Sequence, residues 1–310
     1  VNEISTAAKA LIAGQLVAFP TETVYGLGAD AESESAVARI YKTKGRPADH
    51  PLIIHIASQD QMTNWASTVP AYARALAEAY WPGPMTLILE RSEQAKNFVT
   101  GNQDSVGLRV PNHPVALELL KAFTELGGKG IAAPSANRFG KVSPTTAKAV
   151  SDELGEFMEP GDVILDGGFS EVGIESTIID CRGDAPKILR PGSITIEMIE
   201  KATNLSLDET ESTLRVSGAL ENHYSPKAQV LLDQPPLIGD GFIAMANVET
   251  PEGVIRLASP QTLDEFARVL YQSLRDADSQ FLTRVVVWQP IGNGLAIAIR
   301  DRLRRASNKG

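Results

Sequence analysis

Along its first two thirds the chain alternates short apolar runs with stretches whose apolar residues recur at helical spacing. Residues 4–12 predict a helix stopped by Gly14, and residues 15–19 a strand. Residues 33–44 place Ala36, Val37, Ile40 and Tyr41 on one helical face, with Ser33 positioned to cap the N-terminus. A strand over 52–57 and a helix over 72–80 follow, the helix ended by Trp81-Pro82-Gly83-Pro84. Further strands are expected at 85–89, 106–110, 130–133, 163–165, 177–180 and 187–189, with helices at 114–125 and 145–154. Several strand pairs lie too close in sequence for a helical crossover. The pattern therefore predicts an α/β fold with a mixed rather than a purely parallel sheet.

Residues 205–227 break the pattern. They are polar at first and end in Ser217-Gly218 and His223-Tyr224-Ser225-Pro226, and they read as a linker crossing the first domain. Strands at 228–232, 242–246, 253–257 and 284–288, with helices at 260–276 and 294–306, then predict a small doubly wound unit. The expected organisation is a first domain over 1–204, a linker over 205–227 and a second α/β domain over 228–310.

Of the 310 residues, 43% are hydrophobic and 22% charged, the balance of an ordinary globular chain. No apolar run approaches the length of a membrane helix, and the N-terminal residues lack the basic and apolar halves of a signal peptide. The lone cysteine, Cys181, excludes an intramolecular disulfide and reads as an apolar packer in a reducing, cytoplasmic setting. Net charge is −9, concentrated in residues 1–214, which hold 18 Lys+Arg against 28 Asp+Glu. A basic excess of the kind that binds nucleic acid is absent, so any RNA contact would be weak and rest on a local patch.

Neither a phosphate loop of the Walker type nor a dinucleotide-binding glycine triplet follows the first strand, and there is no paired-cysteine or His-Glu-x-x-His metal set. Three polar segments instead follow apolar runs or helices. In Phe19-Pro20-Thr21-Glu22-Thr23-Val24-Tyr25-Gly26-Leu27-Gly28, an apolar strand enters a hydroxyl-rich turn. In Lys44-Gly45-Arg46-Pro47, an extended backbone would aim two cations the same way, as a phosphate clamp; the alternative is a solvated helix end. In Pro134-Ser135-Ala136-Asn137, Ser135 and Asn137 either bind a ligand or serve the turn itself. His55 lies within an apolar run and shares a face with Ile53. Arg109 and Arg190 end apolar strands before prolines and need an anion, from a substrate or a structural carboxylate. Ser143 and Pro144 read as the cap and first position of a helix.

These strings, with Trp81-Pro82-Gly83-Pro84-Met85-Thr86 and Arg109-Val110-Pro111, resemble in order the YrdC family of threonylcarbamoyl-AMP synthases, and the linker and second unit resemble its two-domain form. The resemblance implies a twisted open sheet with a concave positive cavity, followed by a Rossmann-like domain. It implies formation of L-threonylcarbamoyl-AMP and pyrophosphate from L-threonine, bicarbonate and ATP with magnesium. The product would feed tRNA-modifying threonylcarbamoyl-transferase proteins, which modify the adenosine beside the anticodon. Carried over by motif, Thr23, His55, Arg109, Ala133 and Ser176 would surround threonine. Lys44, Arg46, His50, Ser105, Ser135, Asn137, Ser143 and Arg190 would hold the nucleotide, with His223 and Tyr224 closing over it from the linker. Lys44 and Arg46 would carry the catalytic charge. Glu22 receives no role, and His50 stands where the family often has Asn. A carbamoyl-transfer enzyme related to hydrogenase maturation would need a cysteine zinc cluster that one cysteine cannot make, and a non-enzymatic RNA-binding module sits poorly with the acidic charge.

Overall fold

A computed structural model describes residues 3–218 and 224–308. The first unit is built on a ten-stranded mixed sheet. Its order runs Lys187–Arg190, Thr177–Asp180, Met85–Arg91, Ser105–Arg109, Ile53–His55, Ile131–Ala132, Gly26–Asp30, Val17–Phe19, Val163–Ile164, with Ala66–Thr68 beside Met85–Arg91. Parallel and antiparallel pairs are mixed through it, alternating from Lys187–Arg190 to Ile53–His55 and then antiparallel to Val17–Phe19. The second unit is a four-stranded parallel sheet ordered Gln229–Leu232, Arg284–Val287, Gly241–Ile243, Ile255–Ala258, packed with helices Leu263–Ser279 and Leu295–Ser307. No helix among the described residues is long and apolar enough to cross a membrane.

The helix Glu34–Lys44 forms where the periodicity puts it, with Ser33 Oγ accepting from the Ala36 amide. The segment after Phe19 departs from the sequence reading. After a short turn, Gly26–Asp30 returns as a strand antiparallel to Val17–Phe19. Glycines at 26 and 28 read as a turn, yet the two-residue period of Leu27 and Ala29 puts both in the core.

The two faces of the first sheet are covered differently. One carries the main core, including Leu27, Ile40, Ile54, Leu87 and Leu108. On the other, helices Glu3–Ile12 and Pro114–Glu125 cover only the end around Val17, Phe19 and Ile131. The remainder of that face bears Ile53, His55 and Arg109 and is left open for a cavity. Leu214 and Val216 pack on Ile88 and Ile178 at its margin, so the chain after the first domain runs over this face.

Candidate active site

The cavity is lined by Thr23, Lys44, Arg46, His55, Arg109, Ala133, Ser135, Asn137, Ser176, Arg190 and Tyr224, all singled out in the sequence, together with Glu175, Phe139, Ser217 and Gly218. Strand register explains part of the convergence. His55 pairs with Arg109 across parallel strands, and alternation sends Ile54 and Leu108 to the core and their neighbours to the cavity.

At one end Thr21 sets the turn. Its hydroxyl donates to the Val24 carbonyl at 2.6 Å, accepts from the amides of Thr23 and Val24, and lies 2.8 Å from Thr23 Oγ1. Glu22 gains the role the sequence did not give it: its Oε1 lies 2.7 Å from Arg109 Nη2, with both side chains buried. The contact is a charge pair whose angles fall outside hydrogen-bond geometry. Arg109 Nε donates to the Gly83 carbonyl at 3.3 Å. Burial first, and the Arg109 charge second, push the His55 imidazole down to about 3, so it is neutral at physiological pH. Its Nδ1 is buried without a hydrogen bond among the described residues.

At the other end Lys44 and Arg46 converge, though not by an extended backbone. Lys44 is the last helical residue, and Gly45 caps the helix in the left-handed region at φ 61°. A Cβ there would lie 2.9 Å from Arg138 Nη2. This reversal folds both cations inward, to 2% and 7% exposure, which rules out a solvated helix end. Lys44 Nζ donates to the carbonyls of Ser135, at 2.6 Å, and Asn137. Arg46 Nη2 donates to the Pro51 carbonyl and Ser217 Oγ, and its guanidinium lies 5.9 Å from the Phe139 ring centroid. Burial, reinforced by Arg46, lowers the Lys44 pKa well below its ordinary value, and burial lowers Arg46 to about 10. Arg190 donates twice to the Ser176 carbonyl, once to Ser176 Oγ and once to the Ser217 carbonyl. None of Lys44, Arg46 and Arg190 forms an ion pair among the described residues.

Three other expected nucleotide contacts lie off the lining. His50 packs edge-on against Phe139, with ring centroids 5.4 Å apart. Ser105 faces a separate recess lined by Gln103, Ile178 and Val216. Ser143 is not a helix cap, because Thr146 Oγ1 accepts from the Ala149 amide and the helix begins at Ala147. The Ser143 hydroxyl instead donates to Glu175 Oε1 at 2.6 Å. Burial raises the Glu175 pKa, but the Arg302 and Arg190 guanidinium groups outweigh it and hold the carboxyl at about 2. His223 lies outside the described residues. Tyr224 is fully buried, and Gly218, at φ +79°, lets it approach: a Cβ on Gly218 would stand 2.3 Å from the Tyr224 hydroxyl.

Sequence reasoning missed Glu175 and Arg302. Arg302 carried a signal, since it falls among Leu295, Ile299 and Ala306 on the apolar face of its helix, where a charge needs a buried partner.

A family model described as "Telomere recombination" matches residues 9–192, and one described as "Threonylcarbamoyl-AMP synthase, C-terminal domain" matches residues 194–308. The threonylcarbamoyl-AMP synthase of Pyrococcus abyssi is 40% identical, over 98% of this chain and 94% of its own. That of Bacillus subtilis is 35% identical, over 98% and 93%. The crystal structure of P. abyssi Sua5 complexed with L-threonine superposes with a TM-score of 0.87 at 38% identity, over 98% of this chain and 94% of that one. With both domain models matched in order and relatives aligned over nearly their whole length, the chain belongs to the two-domain threonylcarbamoyl-AMP synthase family.

Proposed function

We infer that the chain is an L-threonylcarbamoyl-AMP synthase, converting L-threonine, bicarbonate and ATP to threonylcarbamoyl-AMP and pyrophosphate for threonylcarbamoyladenosine modification of tRNA. The observation that carries this reading is the union of two unlike charge environments in one cavity: a compensated Glu22–Arg109 end and a Lys44–Arg46–Arg190 end with no ion pair among the described residues. The first suits a zwitterionic amino acid, and the second a nucleotide triphosphate.

In this reading Arg109 meets the threonine carboxylate. Its guanidinium has five donors, of which Gly83 takes one by hydrogen bond while Glu22 lies against Nη2 as a charge pair. Thr23 and Ser176 offer hydroxyls to the side chain and amine, His55 a neutral ring, and Ala133 apolar contact. The threonine amine takes up carbon dioxide, supplied by bicarbonate, to give a carbamate. A carbamate oxygen then attacks the α-phosphate, the bond to the β-phosphate oxygen breaks, and pyrophosphate leaves with the electron pair. No protein nucleophile is required. Lys44, Arg46 and Arg190 stabilise charge as it moves onto the departing pyrophosphate, and Ser135 and Asn137 orient the nucleotide. Charge is placed before the reaction begins, and anion binding relieves the desolvation that depresses the Lys44 and Arg46 pKa values.

Magnesium enters as part of the ATP substrate. Glu175 in the cavity wall and Glu22 behind Arg109 are engaged by Arg302 and Arg109, and no acidic or histidine cluster suited to a metal occurs among the described residues. The ion would be held largely by the phosphates and water and would neutralise part of the triphosphate charge. His50, Ser105 and Ser143 are proposed to act from the rim or behind the wall, and the linker, with Tyr224 and His223, to close over the nucleotide and exclude water from the labile anhydride. The enzyme would work in the cytoplasm and hand its product to a threonylcarbamoyl-transferase.

The test is product analysis by mass spectrometry with pyrophosphate release followed in parallel. Release should require both threonine and bicarbonate and yield the mass of threonylcarbamoyl-AMP. Equal release without threonine would sink the reading.

A further inference from the structure

The C-terminal unit reaches the cavity wall through one buried polar cluster. Glu175 accepts from Ser143 Oγ, from the Tyr271 hydroxyl at 2.8 Å and from Arg302 Nε at 2.8 Å, and Arg302 Nη2 donates to its carbonyl at 3.3 Å. Tyr271 stands on Leu263–Ser279 and Arg302 on Leu295–Ser307, both with no exposure. Asp301 braces the guanidinium, accepting from Arg302 Nη1 at 2.7 Å. The same two side chains hold Tyr224. The Tyr271 ring stacks on it with centroids 5.4 Å apart at 27°, and the Arg302 guanidinium lies 5.6 Å from its ring centroid.

Docking of the two units does not need this cluster. Val24, Val142 and Ile174 of the first unit already pack into the apolar core of the second, with Phe266, Leu270 and Leu303. A buried ion pair adds little net stability there, because desolvation offsets its attraction. What it does supply is orientation: three donors converging on one carboxylate leave Glu175 a single setting. Ser176 is the next residue, lines the cavity, and is held from its other side by Arg190. Rotation of Glu175 would carry Ser176 with it.

We propose that Arg302 and Tyr271 are positioning residues of the synthase: through Glu175 they fix Ser176, and they hold Tyr224 in the cavity wall. The C-terminal unit is then a working part of the threonine site rather than an appended module. This rests on the threonine-binding reading above.

The experiment uses the full chain, with threonine affinity by calorimetry, steady-state KM for threonine and for ATP, and a thermal melt of each variant. Tyr271→Phe removes one donor and keeps the ring. It should weaken threonine affinity about threefold to tenfold, leave the ATP KM within about twofold and lower the melt by only a few degrees, the cost of one lost hydrogen bond. Glu175→Gln/Arg302→Met, a neutral pair of similar volume, should keep the fold and lose about tenfold or more in threonine affinity. Wild-type threonine affinity in folded Tyr271→Phe overturns the proposal, whether or not the double variant folds. Equal loss for threonine and ATP also overturns it, since that indicates general loosening. A wild-type chain that binds no threonine would instead fail the underlying functional reading, and this inference with it.

Discussion

The two ends of the cavity bury charge in opposite ways. Around Arg109 every charge is matched or removed: Glu22 sits 2.7 Å away and His55 is neutral. Around Lys44, Arg46 and Arg190 the hydrogen-bond partners are carbonyls and hydroxyls, and none of the three forms an ion pair among the described residues, Glu175 being paired to Arg302. The difference teaches what each end is built to receive. A matched pair tolerates a ligand of zero net charge, and loses its balance when one partner is cut. An unmatched cluster is held in an unfavourable state by the fold around it and is relieved only when an anion arrives.

Mutating each end should separate these behaviours most sharply in stability. Arg109→Ala leaves Glu22 buried and unpaired, and should cost about 3–5 kcal/mol in urea unfolding. The neutral pair Glu22→Gln/Arg109→Met should return most of that while threonine binding stays lost. A cost below about 1 kcal/mol for Arg109→Ala would mean that Glu22 does not depend on the pair.

At the other end the balance tips toward activity. Lys44→Met removes a desolvated charge, which stabilises, and strips a donor from the Ser135 and Asn137 carbonyls, which destabilises. These oppose, so folding stability should change by only about 1 kcal/mol. Pyrophosphate release should nevertheless fall about a hundredfold or more. Added inorganic pyrophosphate should raise the wild-type melting temperature and leave that of the variant nearly unmoved. A large loss of stability would show that Lys44 is a structural strut.

Much of this contrast could be read from the chain, and the exceptions are instructive. Alternation alone put His55 and Ile53 on one face, because a two-residue period survives any tertiary context. The convergence of Lys44 and Arg46 was legible but not its cause, since a left-handed Gly45 and an extended one look alike in sequence. Ser143 read as a cap, yet Thr146 caps the helix, and Ser143 is turned instead to Glu175, 32 residues away and invisible to local pattern. Glu22 and Glu175 went unassigned for the same reason: a carboxylate has no meaning until the fold shows which guanidinium it meets.

The smallest expected effect is also the one that tests the matched end alone. The folded His55 sits at about 3 against an ordinary 6.5, so between these values the unfolded chain binds a proton that the native protein refuses. Stability from this group is therefore complete above pH 6.5 and is lost as pH falls toward 3. At about 1.4 kcal/mol per pH unit, the wild-type protein should lose roughly 2 kcal/mol between pH 6.5 and 5. Glu175, at about 2 against an ordinary 4.5, has the same sign but contributes its loss only below 4.5, so it leaves this window clear. His55→Gln keeps a neutral polar group that cannot protonate. Its urea stability measured from pH 8 to 5 should be flatter than wild type by about that 2 kcal/mol, with the difference appearing below pH 6.5. Parallel curves would mean that the folded imidazole takes up its proton as readily as the unfolded one, and that in acid a second cation joins Arg109 at that end.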